Sequence, residues 1–307
     1  GRSTIPAPAA SPCRRVDGLH ASWVSPFLRR QSYPYAVRSI DVRRYGKGNP
    51  SVVVLHGGPG APGSAAPLAR DLGETFSVLE PLQRRAGPES LTVDRHVADL
   101  AAVAPEHAVV VGWSWGAMLA LSYAAAHPKR VGGVVLVGCG TYHEDERRDY
   151  KQRVQDLLGD DGRAREAALR ERIAAAPDET TRDALVGELG ALFMDAETVD
   201  ALPGPSLGED LPVDAAGNRE TWDDALRLQA AGIEPQRFAS IDAPVLMLHG
   251  DTDPHPGPGT RDRLRAVVPQ LTYVEFERCG HEPWRERHAR APFLATLRAW
   301  IADQLGD

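Results

Sequence analysis

The sequence predicts an α/β protein with a mostly parallel, doubly wound sheet and an inserted helical cap. Three observations lead there. Short β-branched apolar runs end, one after another, in glycine-bearing turns; helical candidates lie between the runs; and residues 141–240 break the alternation. Strand, turn and helix in repetition give a sheet covered on both faces, with ligands at the carboxyl ends of its strands.

Residues 51–55, SVVVL, have no polar break, which suits a strand buried on both faces. They run into the turn His56-Gly57-Gly58-Pro59-Gly60. Residues 92–103 read as a helix. The strand at 108–111 enters Gly112-Trp113-Ser114-Trp115-Gly116, and the Ala-rich run 116–126 reads as a core helix that His127 and Pro128 close. That run is the longest apolar stretch and is too short to span a bilayer, so no transmembrane segment is expected. Strands at 134–137 and 245–248 precede Gly138-Cys139-Gly140 and His249-Gly250-Asp251, and 271–276 reads as the last strand.

Between the strands at 134–137 and 245–248, residues 141–240 carry 23 Asp and Glu against 12 Arg and Lys, a net of −11 that leaves +4 for the remainder. The segment holds long polar Ala/Arg/Glu-rich stretches and a Pro/Gly passage at 202–212. It is read as a cap inserted into a core formed by residues 1–140 and 241–307. Its acidity taken alone reads first as a solvated helical face without a functional charge.

Composition bounds the partners. Of 307 residues, 42% are hydrophobic and 25% charged, as in ordinary soluble globular chains rather than disordered or disulfide-stapled ones. A net charge of −7 offers no cationic field for nucleic acid or an anionic membrane, so neither partner is expected. Cys13, Cys139 and Cys279 are odd in number and lack metal-ligand spacing, so no metal site is expected. Residues 1–12 are rich in Pro, Ala and Ser, without an initiator Met or an apolar h-region, and read as a scar or a processed end. The compartment is read as cytoplasmic, with a removed signal left open, and the oligomeric state is not read from the sequence.

The chemistry gathers in four turns. Gly112-Trp113-Ser114-Trp115-Gly116 fits G-x-S-x-G between a strand and a helix, the setting of a nucleophile elbow. Small residues two before and two after the serine let the backbone turn sharply, and the helix behind it aims its positive end at an oxyanion. The glycine-rich turn at 56–60 sits where a second oxyanion donor belongs, and Gly57 or Gly58 would donate beside the Trp115 N–H. Serine needs a histidine to take its proton and an acid to orient that histidine. Asp251 and Asp253 both follow the strand at 245–248, and His281 follows the last strand in Cys279-Gly280-His281-Glu282-Pro283-Trp284. His20, His96, His107, His127, His143 and His288 read as surface or cap-end residues.

Together these pieces resemble the α/β-hydrolase superfamily, and HGGPG with the W-S-W-G elbow looks most like its prolyl iminopeptidase group of serine aminopeptidases. The resemblance covers the core at about 37–140 and from 243 onward. It implies Ser114 as nucleophile, His281 as general base and then acid, and Trp115 with the 56–60 turn as oxyanion hole. It points to Asp253 as the acid, leaving Asp251 as a loop-capping neighbour, and to Cys279 as a packing residue; Cys139 is read likewise, as a small core residue. Two features depart from the peptidase pattern. Of its D-Q-R-G-type loop only Gln83 and Arg84 align within Glu80-Pro81-Leu82-Gln83-Arg84-Arg85-Ala86-Gly87. The cap acids that would hold a substrate's amino terminus are not matched residue for residue, although Glu220, Asp223 and Asp224 surround Trp222.

The expected function is a serine hydrolase working through an acyl-enzyme. Its leading reading is an aminopeptidase or amidase releasing an N-terminal proline-like or small residue from a small-molecule or short-peptide substrate. The alternative is a carboxylesterase, lactonase or thioesterase acting on small apolar acyl compounds. No cofactor is implied. A complete triad set argues against a binding-only receptor on this fold, and serine at the elbow argues against aspartate-nucleophile dehalogenases and epoxide hydrolases.

Overall fold

Runs of branched apolar residues form the middle of the sheet, and polar segments fold into helices around it, in a computed structural model that describes residues 40–203 and 211–306. Cys13, His20 and the 1–12 segment lie outside the described residues. In chain order the elements are β1 (Val42–Tyr45), β2 (Val52–Leu55), α1 (Ala66–Gly73), β3 (Val78–Pro81), α2 (Val93–Val103), β4 (Ala108–Trp113), α3 (Trp115–Ala126) and β5 (Val131–Val137). Three helices follow, α4 (Glu144–Ala174), α5 (Glu179–Glu197) and α6 (Ala215–Ala230), with a 3-10 turn at Gln236–Ser240. Then come β6 (Val245–Gly250), α7 (Gly257–Arg265), β7 (Leu271–Phe276), a 3-10 turn at Pro283–Arg285 and α8 (Arg290–Leu305).

Among the described residues one sheet is ordered β1-β3-β2-β4-β5-β6-β7, antiparallel only between β1 and β3. Every residue of β2, β4 and β6 is buried, as central strands covered on both faces must be. From β2 the chain steps to β3 on one side and returns to β4 on the other. That reversal opens a crevice at the carboxyl ends of β2 and β4, where the HGGPG turn and the serine turn lie.

The sequence reading missed two strands. Edge strand β1 is Val-Arg-Arg-Tyr, too short and charged to announce itself. In β3, Glu80 and Pro81 extend the strand, which corrects their assignment to a loop; Pro81 ends the strand opposite Val42. The helices fit local rules better. The Thr92 side chain accepts the Arg95 N–H at 3.1 Å and starts α2. In α3 ten of twelve residues are buried, so its all-round apolar sequence reflects burial on every side. Helices α4 and α5 share a separate apolar cluster of Val154, Leu158, Leu169, Leu185, Leu189 and Leu192. Among the described residues no helix is long and apolar enough to cross a membrane.

Candidate active site

Ser114 sits between β4 and α3 with φ 55° and ψ −119°, a backbone state that costs on the order of 1–3 kcal/mol for a non-glycine residue. The flanking glycines make the turn possible. A Cβ on Gly112 would lie 2.1 Å from the Gly116 carbonyl oxygen, and one on Gly116 would lie 2.4 Å from that of Leu55. The Ser114 N–H donates to the Val137 carbonyl at 2.8 Å, fixing the serine beside the end of β5.

The next residue, Gly138, carries the opposite wall. A Cβ there would stand 2.8 Å from His281 Nδ1 and 3.2 Å from Asp253 Oδ2, so both side chains pack directly on this turn. His281 Nδ1 and Asp253 Oδ2 are 2.8 Å apart and both residues are buried. The His281 carbonyl accepts the Trp113 Nε1–H at 3.0 Å, and its own N–H donates to the Glu197 carbonyl at 2.9 Å. Asp251 stands apart from this pair: its carboxylate accepts the Cys279 N–H at 3.1 Å and its N–H donates to Phe276.

Three imidazoles surround Asp253. His255 reaches Oδ1 twice, through Nδ1 at 2.9 Å and through its backbone N–H at 2.9 Å. His249 Nε2 is 3.7 Å from Oδ2 and 3.0 Å from the His255 carbonyl. Burial by itself would raise the Asp253 carboxyl, yet the charges of His281, His249 and His255 hold it well below the usual range. For His281 burial favours the neutral ring, but the Asp253 charge and hydrogen bond outweigh it. Glu197 and Glu282 add to them and bring the ring up to about 9.

On the other side of Ser114, Gln83 joins the two turns that could cradle an oxyanion. Its Oε1 accepts the Trp115 Nε1–H at 2.8 Å, its Nε2–H donates to the His56 carbonyl at 3.3 Å, and its N–H donates to His56 Nε2 at 3.3 Å. His56 Nδ1 faces the Gly57 carbonyl at 2.9 Å, so the proton belongs on Nδ1 and the ring is neutral; burial pushes it down to about 4. Gly57 lies against the Trp113 ring, Gly58 follows it, and Trp115 opens α3. The structure thus brings Ser114, Trp115, Gly57 and Gly58 to the β2–β4 crevice and sets Asp253 and His281 across the β5 turn.

Helices α4, α5 and α6 touch this site directly. Tyr150 of α4 stacks on His255 with ring centroids 4.2 Å apart, and its hydroxyl donates to Glu197, the last residue of α5, at 2.8 Å. Trp222 of α6 packs on Trp115 at 5.8 Å. Asn218 Nδ2–H donates to the Pro59 carbonyl at 2.6 Å and the Asp214 N–H to Gly60 at 2.7 Å. The acids singled out around Trp222 are differently employed. Glu220 and Asp224 accept the backbone N–H groups of Leu91 and Val93 at 2.8 and 2.9 Å, and Asp223 is exposed.

The sequence reading overlooked His255, Glu197 and Tyr150. His255 had a signal, lying two residues after Asp253 in the same turn after a strand. Glu197 had none, because its place depends on how α5 ends against the His281 turn. His96 is also corrected. It is buried rather than superficial, 3.0 Å from Thr221 Oγ1 and 6.2 Å from the Trp115 ring. Cys139 and Cys279 are buried free thiols, and burial pushes both up, away from the reactive thiolate.

Known proteins resemble this chain in sequence and in fold. The model of the alpha/beta hydrolase fold family matches residues 91–284. A pimeloyl-[acyl-carrier protein] methyl ester esterase of Chromobacterium violaceum is 29% identical over 258 residues, 80% of this chain and 92% of its own. Among solved structures, a thermophilic esterase from Thermogutta terrifontis superposes with a TM-score of 0.56 at 18% identity, covering 86% of this chain and 93% of its own. A proline iminopeptidase from Mycobacterium smegmatis superposes with 0.53 at 19% identity, covering 89% and 100%. Those two structural likenesses speak for the fold.

Proposed function

Since this chain belongs to the alpha/beta hydrolase fold family, we propose that it is a serine hydrolase of carboxylic esters, with α4–α6 as a cap over its site. One observation carries the reading. Ser114 at the end of β4 and the Asp253–His281 pair, 2.8 Å apart, converge on consecutive residues of β5 and its turn, Val137 and Gly138.

In this reading Ser114 Oγ attacks the ester carbonyl while His281 takes its proton, and Asp253 fixes the ring and stabilises the imidazolium. The oxyanion is held by the Trp115 N–H and that of Gly57 or Gly58, each donor contributing on the order of 3 kcal/mol to transition-state stabilisation. His281 returns the proton to the leaving alcohol. Water then enters by the same route, and a carboxylate leaves as Ser114 is regenerated.

Support for an ester over a peptide comes from two directions. The curated relative, aligned over most of its length, is named for the methyl ester of a carrier-bound acyl chain, which suggests a small alcohol on an apolar acyl group. In addition, the cap acids Glu220 and Asp224 bind backbone N–H groups of the core and so are not held ready for a substrate amine.

A second reading, release of an N-terminal proline-like or small residue, draws on one feature. Glu197 is a buried cap carboxylate beside His281, a suitable counter-charge for a substrate ammonium. Hydrolysis of p-nitrophenyl butyrate, set against free and N-acetylated prolyl and alanyl p-nitroanilides with Ser114→Ala as the blank, separates the readings. Turnover of the ester alone is expected; cleavage of the free anilides but not the acetylated ones would replace the esterase with the aminopeptidase. Rates unchanged in Ser114→Ala would overturn the nucleophile itself.

A further inference from the structure

The Asp253 side chain has no exposed surface, so its two oxygens are met only by groups of the protein. Oδ2 faces His281 Nδ1 at 2.8 Å, and Oδ1 accepts the backbone N–H of His255 at 2.9 Å. One partner for each oxygen already meets what burial demands. The His255 ring adds a second donor to Oδ1, through Nδ1 at 2.9 Å. An ionised carboxylate can only accept, so the proton of this ring stands on Nδ1. The same ring stacks on His281, with centroids 4.6 Å apart and planes inclined by 19°, and on Tyr150 of the cap at 4.2 Å and 28°. Its backbone has little freedom. Pro254 and Pro256 flank His255, fixing φ on either side and disfavouring helical backbone at His255 itself. The His255 carbonyl accepts the His249 Nε2–H at 3.0 Å and the Gly257 N–H at 2.8 Å. A histidine so constrained, on an acid that burial had already satisfied, serves the acid's partner.

We propose that His255 is a positioning residue for His281: its ring N–H holds the Asp253 carboxylate with Oδ2 toward His281 Nδ1, and its ring face keeps the imidazole turned for proton transfer from Ser114. The effect on rate rests on the serine hydrolase reading, whereas the orientation of His281 belongs to the resting protein. The two contributions are separable by substitution. Asn sets an amide N–H where the histidine Nδ1–H stands and has no ring; Phe keeps a ring and has no donor. The donor also bears on charge. His281 is faced by His249 of β6, by Asp253 and His255 of the turn after it, by Glu197 at the end of α5 and by Glu282 of its own turn. A donor on Oδ1 draws the Asp253 charge away from His281, so without it His281 keeps its proton to higher pH.

The test compares His255→Ala, His255→Asn and His255→Phe in the whole chain, with p-nitrophenyl butyrate as substrate and Ser114→Ala as the blank. Near-UV circular dichroism checks that each is folded, and Asn and Phe carry the comparison if Ala is not. In His255→Ala kcat should fall by about 100-fold with KM nearly unchanged, as for a misplaced catalytic group. His255→Phe, which loses the donor alone, should fall by about tenfold, the lower end for a hydrogen bond to a charged group. His255→Asn should recover part of the alanine loss. The inflection of kcat/KM with pH should stay at the wild-type position in His255→Asn and rise in His255→Phe and His255→Ala. Nitrogen NMR of the histidine rings follows the same titration of His281 without any substrate. Wild-type kcat in His255→Ala overturns the positioning role and leaves the hydrolase. So does an equal loss in all three variants with the His281 titration unmoved, which would make His255 a packing residue. A titration that rises as expected, beside ester turnover that persists in Ser114→Ala, sinks the hydrolase reading and leaves His255 as the residue that orients His281.

Discussion

His255 and His281 lie almost parallel, ring on ring, while bonding opposite oxygens of the same Asp253 carboxylate. The acid of the site is therefore shared, and the orientation of His281 is set on three sides: Asp253 at Nδ1, His255 on the ring face, and the Gly138 turn beneath.

This environment fixes the sign of the pH response. Asp253, Glu197 and Glu282 raise His281 to about 9, against burial that favours the neutral ring, with His255 as its stacked neighbour. A general base works only when neutral, so kcat/KM for an ester should climb with pH through an inflection near 9 rather than near the ordinary histidine value of about 6.5. Asp253→Asn removes the principal charge and should move the inflection down while kcat drops by about 10⁴-fold. A pH–rate profile of each protein reads both, and an inflection at or below the ordinary value in the wild type refutes the prediction.

Gly138→Ala tests the turn under the pair. Its φ is +52°, and a methyl group there would press on His281 Nδ1 and Asp253 Oδ2. The ring would be displaced, and a shift of about 1 Å in a catalytic group costs about 100-fold. Steady-state kinetics should show that loss in kcat with an unchanged far-ultraviolet spectrum; wild-type turnover would mean that the contact does not bear on chemistry.

Gln83→Leu should cost stability. It strands the Trp115 Nε1–H, the His56 carbonyl and their buried surroundings without a partner of similar shape. An orphaned buried polar group costs about 1–3 kcal/mol, so the urea midpoint should fall at constant m-value.

Asp214→Ala should loosen α6. The carboxylate caps the helix through the Gly217 N–H at 2.9 Å and also accepts the Ala86 N–H at 2.5 Å. Loss of a helix cap costs about 1 kcal/mol. Amide exchange at Ala86 and Gly217 should accelerate about fivefold or more, with β4 amides unchanged, as mass spectrometry of exchanged peptides would show.

The elements that sequence disclosed are those whose signal is local. Valine runs at β2 and β4 are buried on both faces, the Thr92 cap needs only its own helix, and the glycines around Ser114 answer to contacts within one turn. Strand β1 was illegible because its partner β3 lies about 35 residues away and its own residues are half solvated. The site divides in the same way. His281 could be named because it follows a strand in a glycine-flanked turn, and Asp253 only through the family resemblance, because Asp251 shares its loop after a strand; Glu197 and Tyr150 arrive on helices whose packing no local pattern encodes. The acidity of residues 141–240 was visible as a sum. Its use, carboxylates gripping backbone N–H groups, was not, since peptide groups look alike everywhere in a sequence.

That grip has a genetic consequence. Asp214, Glu220 and Asp224 hold peptide N–H groups at Ala86, Leu91 and Val93, not side chains. Those three positions can therefore be exchanged for any residues that fit the space, proline excepted, without releasing the attachment, while the three acids have no such latitude. Over evolutionary drift the two halves of this attachment should diverge in variability, fixed at Asp214, Glu220 and Asp224 and free at residues 86, 91 and 93, leaving no pair of co-varying positions to mark where they touch.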